Sequence, residues 1–550
     1  MIKIIKRIRI NQNMEGYIFM KKISTVSIVS IVSVILVMIL SLLLSLVLLV
    51  SCADKNPENT AQNDASQSAS DNQDAALNSD REDGANEKST SDRKKEEREK
   101  EEKEMLANIP VEDFGGYTFN FISRRENNPE WDIWGNRDIY SEEQNGDTIN
   151  DAVYLRNRYI EDTYNCVISE FQSFSMVSDL RKTVKSGDNA YDIALPPLNQ
   201  GINLAADGLF LNLGNIKSLN LENKWWDQNA NQSLSIGGIL YYTSSDMLIL
   251  NNDSTGAFVF NKKLIQEHQL DDPYQLVKDG KWTFDTFYTQ VKSISQDLNG
   301  DGEMNRYDKY GFMQYRDVLH CLFHGAGGDF GIKDTSDMPY FTLDSEKNIT
   351  VLESVFEIMN DPVNTYRLHM TYNEGVTNAF ILGQSMFEQN QVLYYWLRLR
   401  DIEALRGMET DFGILPIPKW DETQTNYRST VNFHVSTCIT IPVSNDDPEK
   451  TGLFLEAFSC KSKYVLQPAY YDITLNGKYV RDEDSSEMLD IIFANRVYDI
   501  GLIGDFGGMR TMIDTMVDKD SRDFMSQLEK SRPKVEKDID KKIEKILALN

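Results

Sequence analysis

Cysteine is scarce in this chain, with five among 550 residues. They are Cys52, Cys166, Cys321, Cys438 and Cys460, and no two of them form a CxxC pair. That density excludes a disulfide framework, and with no histidine cluster beside them a zinc site has no support. Four of the five read as small hydrophobes in buried segments. Histidine is as rare: His268, His320, His324, His369 and His434. His320 and His324 stand four apart but lack the Glu of an HExxH pattern, so they read as a surface or core pair. Gly325-Ala326-Gly327-Gly328 is not followed by Lys-Ser/Thr, so it is no phosphate loop, and there is no GxSxG elbow. Positive charge is also short. Lys and Arg number 57 against 85 Asp and Glu, a net charge of −28. Such a surface repels phosphate backbones and disfavours nucleic acid. It suits solubility, cations and neutral ligands. A glycosidase carboxylate pair stays open, because separation in space defines it and sequence does not.

What is present starts with an address. Lys3, Lys6, Arg7, Arg9, Lys21 and Lys22 precede an uncharged run from Ile23 to Val50. A basic segment before an apolar one reads as a secretion signal. Met20 offers an alternative translation start. The run is also long enough to span a bilayer, so a permanent anchor is the competing reading. Its end favours the signal. Leu49-Val50-Ser51-Cys52 resembles the bacterial lipobox, in which the Cys thiol takes a diacylglyceryl group and the chain is cut just before it. The expectation is a signal peptide over 1–51 and a mature chain starting at lipidated Cys52. That places the protein on the extracytoplasmic face of the bacterial cell membrane.

Ala53 to Ala107 contains no Trp, Tyr, Phe, Val or Ile. It cannot offset its ordering entropy by burial, so residues 52–112 are expected to be a disordered acidic and polar tether. Its charged end, Asp92 to Glu104, has i,i+4 pairs that give a solvated helix at most.

From Asp113 the chain changes again. With 25 Tyr, 25 Phe and 7 Trp it has ample core material, and its length suggests two or three units. Tyr117–Ile122 alternates like a strand. Asp151–Asn165 is helical by spacing, Cys166–Ile168 is a strand, Met176–Val184 a helix and Tyr191–Leu195 a strand. This alternation predicts βαβ units and a largely parallel sheet.

The phrases Tyr191-Asp192-Ile193, Ala206–Leu213, Ser235–Tyr242, Phe258–Lys262, Pro273–Asp285, Phe380–Met386 and Asp411–Pro418 follow one another in a telling order. In that order the chain resembles the extracellular solute-binding proteins (family 1, sugar type) of ABC importers, in lipoprotein form. The resemblance covers roughly Asp113 to Phe506. It implies an α/β, two-lobed periplasmic-binding-protein-like fold with a hinge. Lobe one is expected at 113–251 with 431–459, and lobe two at 252–430 with 460–550. It implies a carbohydrate ligand, an ABC permease as membrane partner, a monomer, and no catalysis. The alternatives are a surface-tethered glycoside hydrolase or lyase, and a ligand-presenting sensor.

The resemblance places Asn199 and Gln200 at the cleft after the third strand, Asp246 on the crossing strand, Glu388 and Gln389 after Gly383, and Asn432 on the returning strand. Sugars offer flat CH faces to aromatic rings, which adds Trp225 and Trp396 as candidates.

The loop Asp297–Asp308 reads D-x-N-x-D-G-x-x-N-x-x-D. Hard Ca²⁺ wants six to eight oxygens. Asp297, Asn299, Asp301, Asn305 and Asp308 offer side chains and Glu303 its carbonyl. Asp stands last, where a longer Glu normally grips with both oxygens. The expectation is a structural calcium site away from the cleft.

Overall fold

The computed structural model describes residues 90–125, 134–475 and 482–549. Cys52, the apolar run and the tether up to residue 89 lie outside them. Among the described residues no helix is long and apolar enough to cross a membrane.

The first element is helix α1, Thr90–Ala107. It corrects the expectation of a disordered tether as far as residue 112. Met105 and Leu106 pack on the core beside it, Ile109 and Phe114 are buried, and Glu101 and Glu102 pair with Lys224 and Lys461. A short apolar end and two ion pairs hold a helix that its composition alone would not.

Strand β1 (Tyr117–Arg124), helix α2 (Thr148–Tyr164), strand β2 (Cys166–Ser173) and strand β3 (Ile193–Ala194) build lobe one. The sheet order is β2-β1-β3, all parallel, with Tyr117 opposite Cys166 and Phe121 opposite Ile193. Asp147 caps α2 by accepting from the amides of Ile149 and Asn150, and Asn165 ends it in the left-handed region at φ 48°. The chain then crosses to lobe two through Thr243–Thr255.

Lobe two holds β4 (Gly256–Asn261), α3 (Phe284–Lys292), β5 (Tyr310–Gln314), α4 (Val318–Gly325), the hairpin β6 (Gly331–Lys333) and β7 (Pro339–Phe341), and β8 (Thr365–Arg367). A 3-10 segment, Leu368–Glu374, follows, then α5 (Ala379–Glu388), β9 (Val392–Arg398) and β10 (Phe412–Leu415). The sheet order is β10-β4-β9-β5-β8. Only β4 runs against its neighbours, so the expected parallel sheet is present with one reversed strand. Gly256 pairs with Arg398. The carboxyl ends of β5, β8, β9 and β10 therefore face the crossing and lobe one.

The chain returns through β11 (Ser429–Thr430) and an extended stretch in which Thr440 pairs with Ala194 and Ile439 with Thr243. Helix α6, Pro448–Leu475, then runs along α2 without a break. The expected lobe boundary at 459 falls inside it, and residues up to 475 belong with lobe one. The end of the chain also departs from expectation. Strand β12 (Arg496–Val497) pairs with β11, and helix α7 (Phe524–Ala548) touches both lobes. Tyr241 donates to the Ile546 carbonyl at 3.4 Å, and α7 also packs on β7. One apolar core accordingly runs from Ile122 and Ile202 through Tyr242 to Phe258, Phe312 and Ile546. A separate core fills lobe one with Phe119, Phe121, Trp225, Phe454 and Phe458. Cys166, Cys321, Cys438 and Cys460 are free and buried, as their setting in the sequence suggests.

Candidate functional site

The carboxyl ends of both sheets converge on the crossing strands. Open α/β sheets bind ligands in the crevice beyond those ends, because the loops there are free of the ladder. From lobe one come Arg124, at the end of β1, and Asn199, in the turn after β3. Asn199 Nδ2 stands 3.2 Å from His434 Nδ1, and Arg124 Nη1 donates to the His434 carbonyl at 2.6 Å. Gln200 lies beside Asn199, half-buried. Asn432 accepts from the His434 amide at 3.0 Å and donates to Asp317 at 2.9 Å, which carries the contacts into lobe two.

Asp317 follows β5 and precedes α4. Tyr315, two residues before it, stacks on Phe380 at 5.0 Å and meets His369 edge-on at 6.0 Å. Phe380 starts α5, and His369 follows β8. The Arg398 guanidinium, at the end of β9, lies 5.0 Å from the Phe380 ring and 4.2 Å from the Trp134 ring. Trp134 belongs to the chain after β1, so these contacts return to lobe one. They mark a crevice at the junction of the lobes that carries both polar groups and aromatic rings. A pocket of about 510 Å³ opens at the Arg398 end, lined by Trp134, Tyr372, Phe380 and Arg398 among others. That volume is in the range of small-molecule sites.

The electrostatics are those of fixed hydrogen-bonding groups. Asp401 accepts from Arg398 Nε at 2.6 Å, Asp518 pairs with Arg316 at 3.0 Å, and Asp514 lies 2.9 Å from His320. Burial pushes the His369 imidazole down to about 4, so it is neutral at neutral pH. Neither of its ring nitrogens has a partner among the described residues. A neutral imidazole offers one donor and one acceptor.

The structure separates the sequence candidates into three groups. Asn199, Gln200 and Asn432 are in this crevice. Asp246 and Trp225 line another pocket, of about 300 Å³, with Lys463 and Arg496. There Asp246 pairs with Lys463 at 3.1 Å, and the Trp225 indole donates to Glu456 at 3.1 Å, as a core anchor does. Glu388, Gln389 and Trp396 do not reach the crevice. Glu388 and Gln389 end α5 at the opposite edge of the sheet, where neighbouring Asn390 meets Asn261 at the far end of β4. It is the start of α5 that faces the crevice. Trp396 is buried within β9 over Gly256. His434, Arg124, Tyr315, Asp317, His369 and Phe380 were not singled out from the sequence. The signal for three of them is their place at the end of β1 (Arg124) and just after β5 (Tyr315, Asp317).

The loop Asp297–Asp308 lies away from the crevice, between α3 and β5. Gly300 and Gly302 take φ of 73° and 82°, which lets the loop fold back on itself. Asp297 accepts from both glycine amides, at 2.7 and 2.8 Å. Asp308 accepts from Leu298 and Asn305 at 3.0 and 2.7 Å. Asn299 donates to Asp301 at 2.9 Å and Asn305 donates to the Glu303 carbonyl at 3.0 Å. The donor set is oxygen-rich and free of nitrogen and sulfur ligands, which fits Ca²⁺ in chemistry. Among the described residues no three His, Cys, Asp or Glu side chains are gathered as a metal cage.

Comparison with protein-family descriptions and with curated protein sequences finds no match. Solved structures do match. UspC of M. tuberculosis is 13% identical with a TM-score of 0.50, over 76% of this chain and 100% of its own. The GacH receptor of Streptomyces glaucescens, solved unliganded and with acarbose, is 11% identical with a TM-score of 0.46, over 79% and 98%. An ABC substrate-binding protein of Listeria monocytogenes in complex with cycloalternan is 11% identical with a TM-score of 0.45, over 79% and 98%. Over the described lobes the chain has the two-lobed α/β fold of the periplasmic binding proteins.

Proposed function

We propose that this chain is the lipid-anchored, extracytoplasmic solute-binding component of an ABC importer, and that it captures a carbohydrate without changing it. The crevice carries this reading. Aromatic rings at Tyr315, Phe380 and Tyr372 and hydrogen-bonding groups at Asn199, Gln200, Asn432 and His369 lie at this junction of the lobes. Sugars need both, a ring for the CH face and fixed donors and acceptors for hydroxyls. The fold supports it, since hinge closure around a ligand is how two such lobes signal occupancy. Asp401, Asp514 and Asp518 each lie against a basic side chain, which fixes them as structural partners. The partner implied is an ABC permease, with the chain acting as a monomer.

Calorimetry of the detergent-extracted chain against mono- and oligosaccharides is the direct test. One of them is expected to bind with release of heat and to be recovered unchanged. His369→Phe keeps a ring and removes both nitrogens, and is expected to weaken binding by about 1–3 kcal/mol. Product formation would favour the hydrolase or lyase. Silence across the sugars with clear binding of peptides would overturn the carbohydrate assignment.

Anchoring rests on Leu49-Val50-Ser51-Cys52. Mass spectrometry of membrane-extracted protein is expected to find a diacylglyceryl Cys52 at the amino terminus. Cys52→Ala removes the thiol that the lipobox resemblance assigns to lipidation before the cut, and is expected to leave the signal uncleaved. An intact Met1 or Met20 on the bulk of the wild-type protein would refute the signal reading.

The loop Asp297–Asp308 is proposed to hold a structural Ca²⁺ through Asp297, Asn299, Asp301, Asn305, Asp308 and the Glu303 carbonyl. When bound, the ion would tie the two halves of the loop together; it takes no part in ligand binding.

A further inference from the structure

The pocket of about 510 Å³ at the Arg398 end of the crevice holds more positive than negative charge, in a chain whose net charge is −28. The excess comes from three guanidinium groups set against two carboxylates. Arg398, at the end of β9, pairs with Asp401 at 2.6 Å. Arg400 lies in the 3-10 segment Leu399–Gly407 that follows β9, and Arg137 in the chain after β1. Both pair with the same oxygen of Asp253, at 3.2 and 2.8 Å. Asp253 ends the short helix Ile249–Asp253 of the crossing, so this cluster joins both lobes at the hinge. Two further charges of the lining, Glu403 and Arg406, pair with each other at 3.6 Å and cancel. One positive charge is left over.

That charge is not dispersed in water. The side chains of Arg398 and Arg400 are 5% and 14% exposed, and that of Asp253 is 1% exposed. An unmatched charge held where water is scarce is costly, and an arriving anion removes the cost. The donors for an anion are in place. A guanidinium carries five N–H groups in a rigid fork. Arg400 spends Nη1 on Asp253, and its Nε and Nη2 have no partner among the described residues. Arg398 spends Nε and Nη2 on Asp401, and its Nη1 has none. Two arginines with unspent N–H groups on the lining of one pocket are chemistry for a carboxylate, which takes such bonds in pairs. Packing holds the fork still: the Arg398 guanidinium lies 4.2 Å from the Trp134 ring and 5.0 Å from the Phe380 ring. Phe380 and Tyr372 line the same pocket and offer a sugar ring its CH contact beside the charge.

We infer that Arg398 and Arg400 form an anion subsite, and that the captured carbohydrate carries an acid group there, a uronate carboxylate, beside a ring seated on Phe380. This rests on the carbohydrate reading of the crevice. It narrows the ligand from sugars at large to acidic sugars.

The test sets each acid against its own neutral ester. Disaccharides of galacturonate, glucuronate and mannuronate, their methyl esters, the neutral parent disaccharides and a sulfated galactose disaccharide are titrated by calorimetry into the detergent-extracted full chain. One uronate is expected to bind about tenfold or more tighter than its methyl ester, which keeps the shape and loses the charge. Arg400→Gln is expected to cut binding of that acid about tenfold and to bring acid and ester to within about twofold of each other. Arg400→Lys keeps the charge without the fork and is expected to retain part of the preference. Arg400 also pairs with Asp253, so the folding of both variants is checked by melting temperature, while the comparison of acid with ester in the wild-type chain needs no variant. Tight binding of the sulfated disaccharide alone, lost in Arg400→Gln, would keep the anion subsite and overturn the carboxylate. Equal binding of acid and ester, or tighter binding of the neutral parents, would overturn the anion subsite while the carbohydrate reading stands. Failure of every sugar, charged and neutral, to bind would overturn the carbohydrate reading itself.

Discussion

Replacing Asp499 by Ala is expected to destabilise the protein by about 3–5 kcal/mol, among the largest single effects available here. Asp499 is buried, and its carboxylate serves five donors. Oδ1 accepts from the amides of Gly501, Leu502 and Gly331 at 2.7, 3.0 and 3.3 Å. Oδ2 accepts from the Phe330 amide at 2.6 Å and stands 3.0 Å from His324 Nε2. His324 in turn reaches Thr430 at 2.8 Å through its other nitrogen. One side chain thus ties α4, the hairpin, β11 and the C-terminal segment together. Alanine would leave these buried donors without a partner, and that is costlier than losing the bonds alone.

The pH dependence of this effect has a definite sign. Burial pushes the Asp499 carboxyl up, but His324 and the amides outweigh it and hold the carboxyl below the ordinary value of 3.8. A group depressed on folding contributes stability above its unfolded pKa and loses it as pH falls through the folded one. The difference between wild type and Asp499→Ala is therefore expected in full at pH 7 and should shrink below about pH 4. Thermal unfolding of both proteins at pH 7 and pH 3 measures it. A cost under 1 kcal/mol at pH 7, or one that grows on acidification, would contradict this account. Asp499→Asn retains part of the acceptor set and is expected to lose less.

Why some of the site was legible and some was not follows from particular residues. Strand β1 shows in Tyr117–Ile122, where Phe119 and Phe121 enter one core and Ile122 the other. Helix α3 shows in its cap, where Thr283 accepts from the Thr286 amide at 3.3 Å. Asn199 and Gln200 follow a strand, and the crevice rule reaches them. Trp396 misleads because β9 is central in its sheet. All seven of its residues are buried, so no alternation distinguishes a ligand face from a core face. Trp225 misleads for another reason: the partner that satisfies its indole, Glu456, is 231 residues away. Glu388 and Gln389 stand at the end of α5 away from the crevice. The order of strand and helix contains the correction. β9 ends at the crevice, so the helix that precedes it must begin there, and Phe380 is the residue that arrives. The tether's charged end reads as solvated because the donors that dock it, Lys224 and Lys461, lie far along the chain.

Chelation of calcium is expected to lower the melting temperature of the wild-type protein by several degrees, and Asp301→Ala to remove that difference. The reasoning is mass action. An ion bound only by the folded loop stabilises it by RT ln(1 + [L]/Kd), about 2.7 kcal/mol at a hundredfold excess over Kd. The backbone amides of the loop already orient Asp297 and Asp308, so the chain has less to organise on binding. The carboxylates of the loop repel one another without a cation, and the net charge of −28 adds to that repulsion. Asp301 is the substitution of choice. It accepts from Asn299 and from the Glu303 amide, at 2.9 and 2.8 Å, and so occupies the middle of the loop without packing into the core. Asp308→Ala would be harder to read, since Asp308 is fully buried and its loss would disturb the fold by itself. Mg²⁺ is a useful contrast. It demands a tighter octahedral site and dehydrates reluctantly, so it is expected to restore little of the lost stability. Metal content of the purified protein, measured before chelation, fixes the starting state. An unchanged melting curve after removal of a demonstrated stoichiometric Ca²⁺ would show that the ion does not support the fold. Equal shifts in wild type and Asp301→Ala would move the site elsewhere.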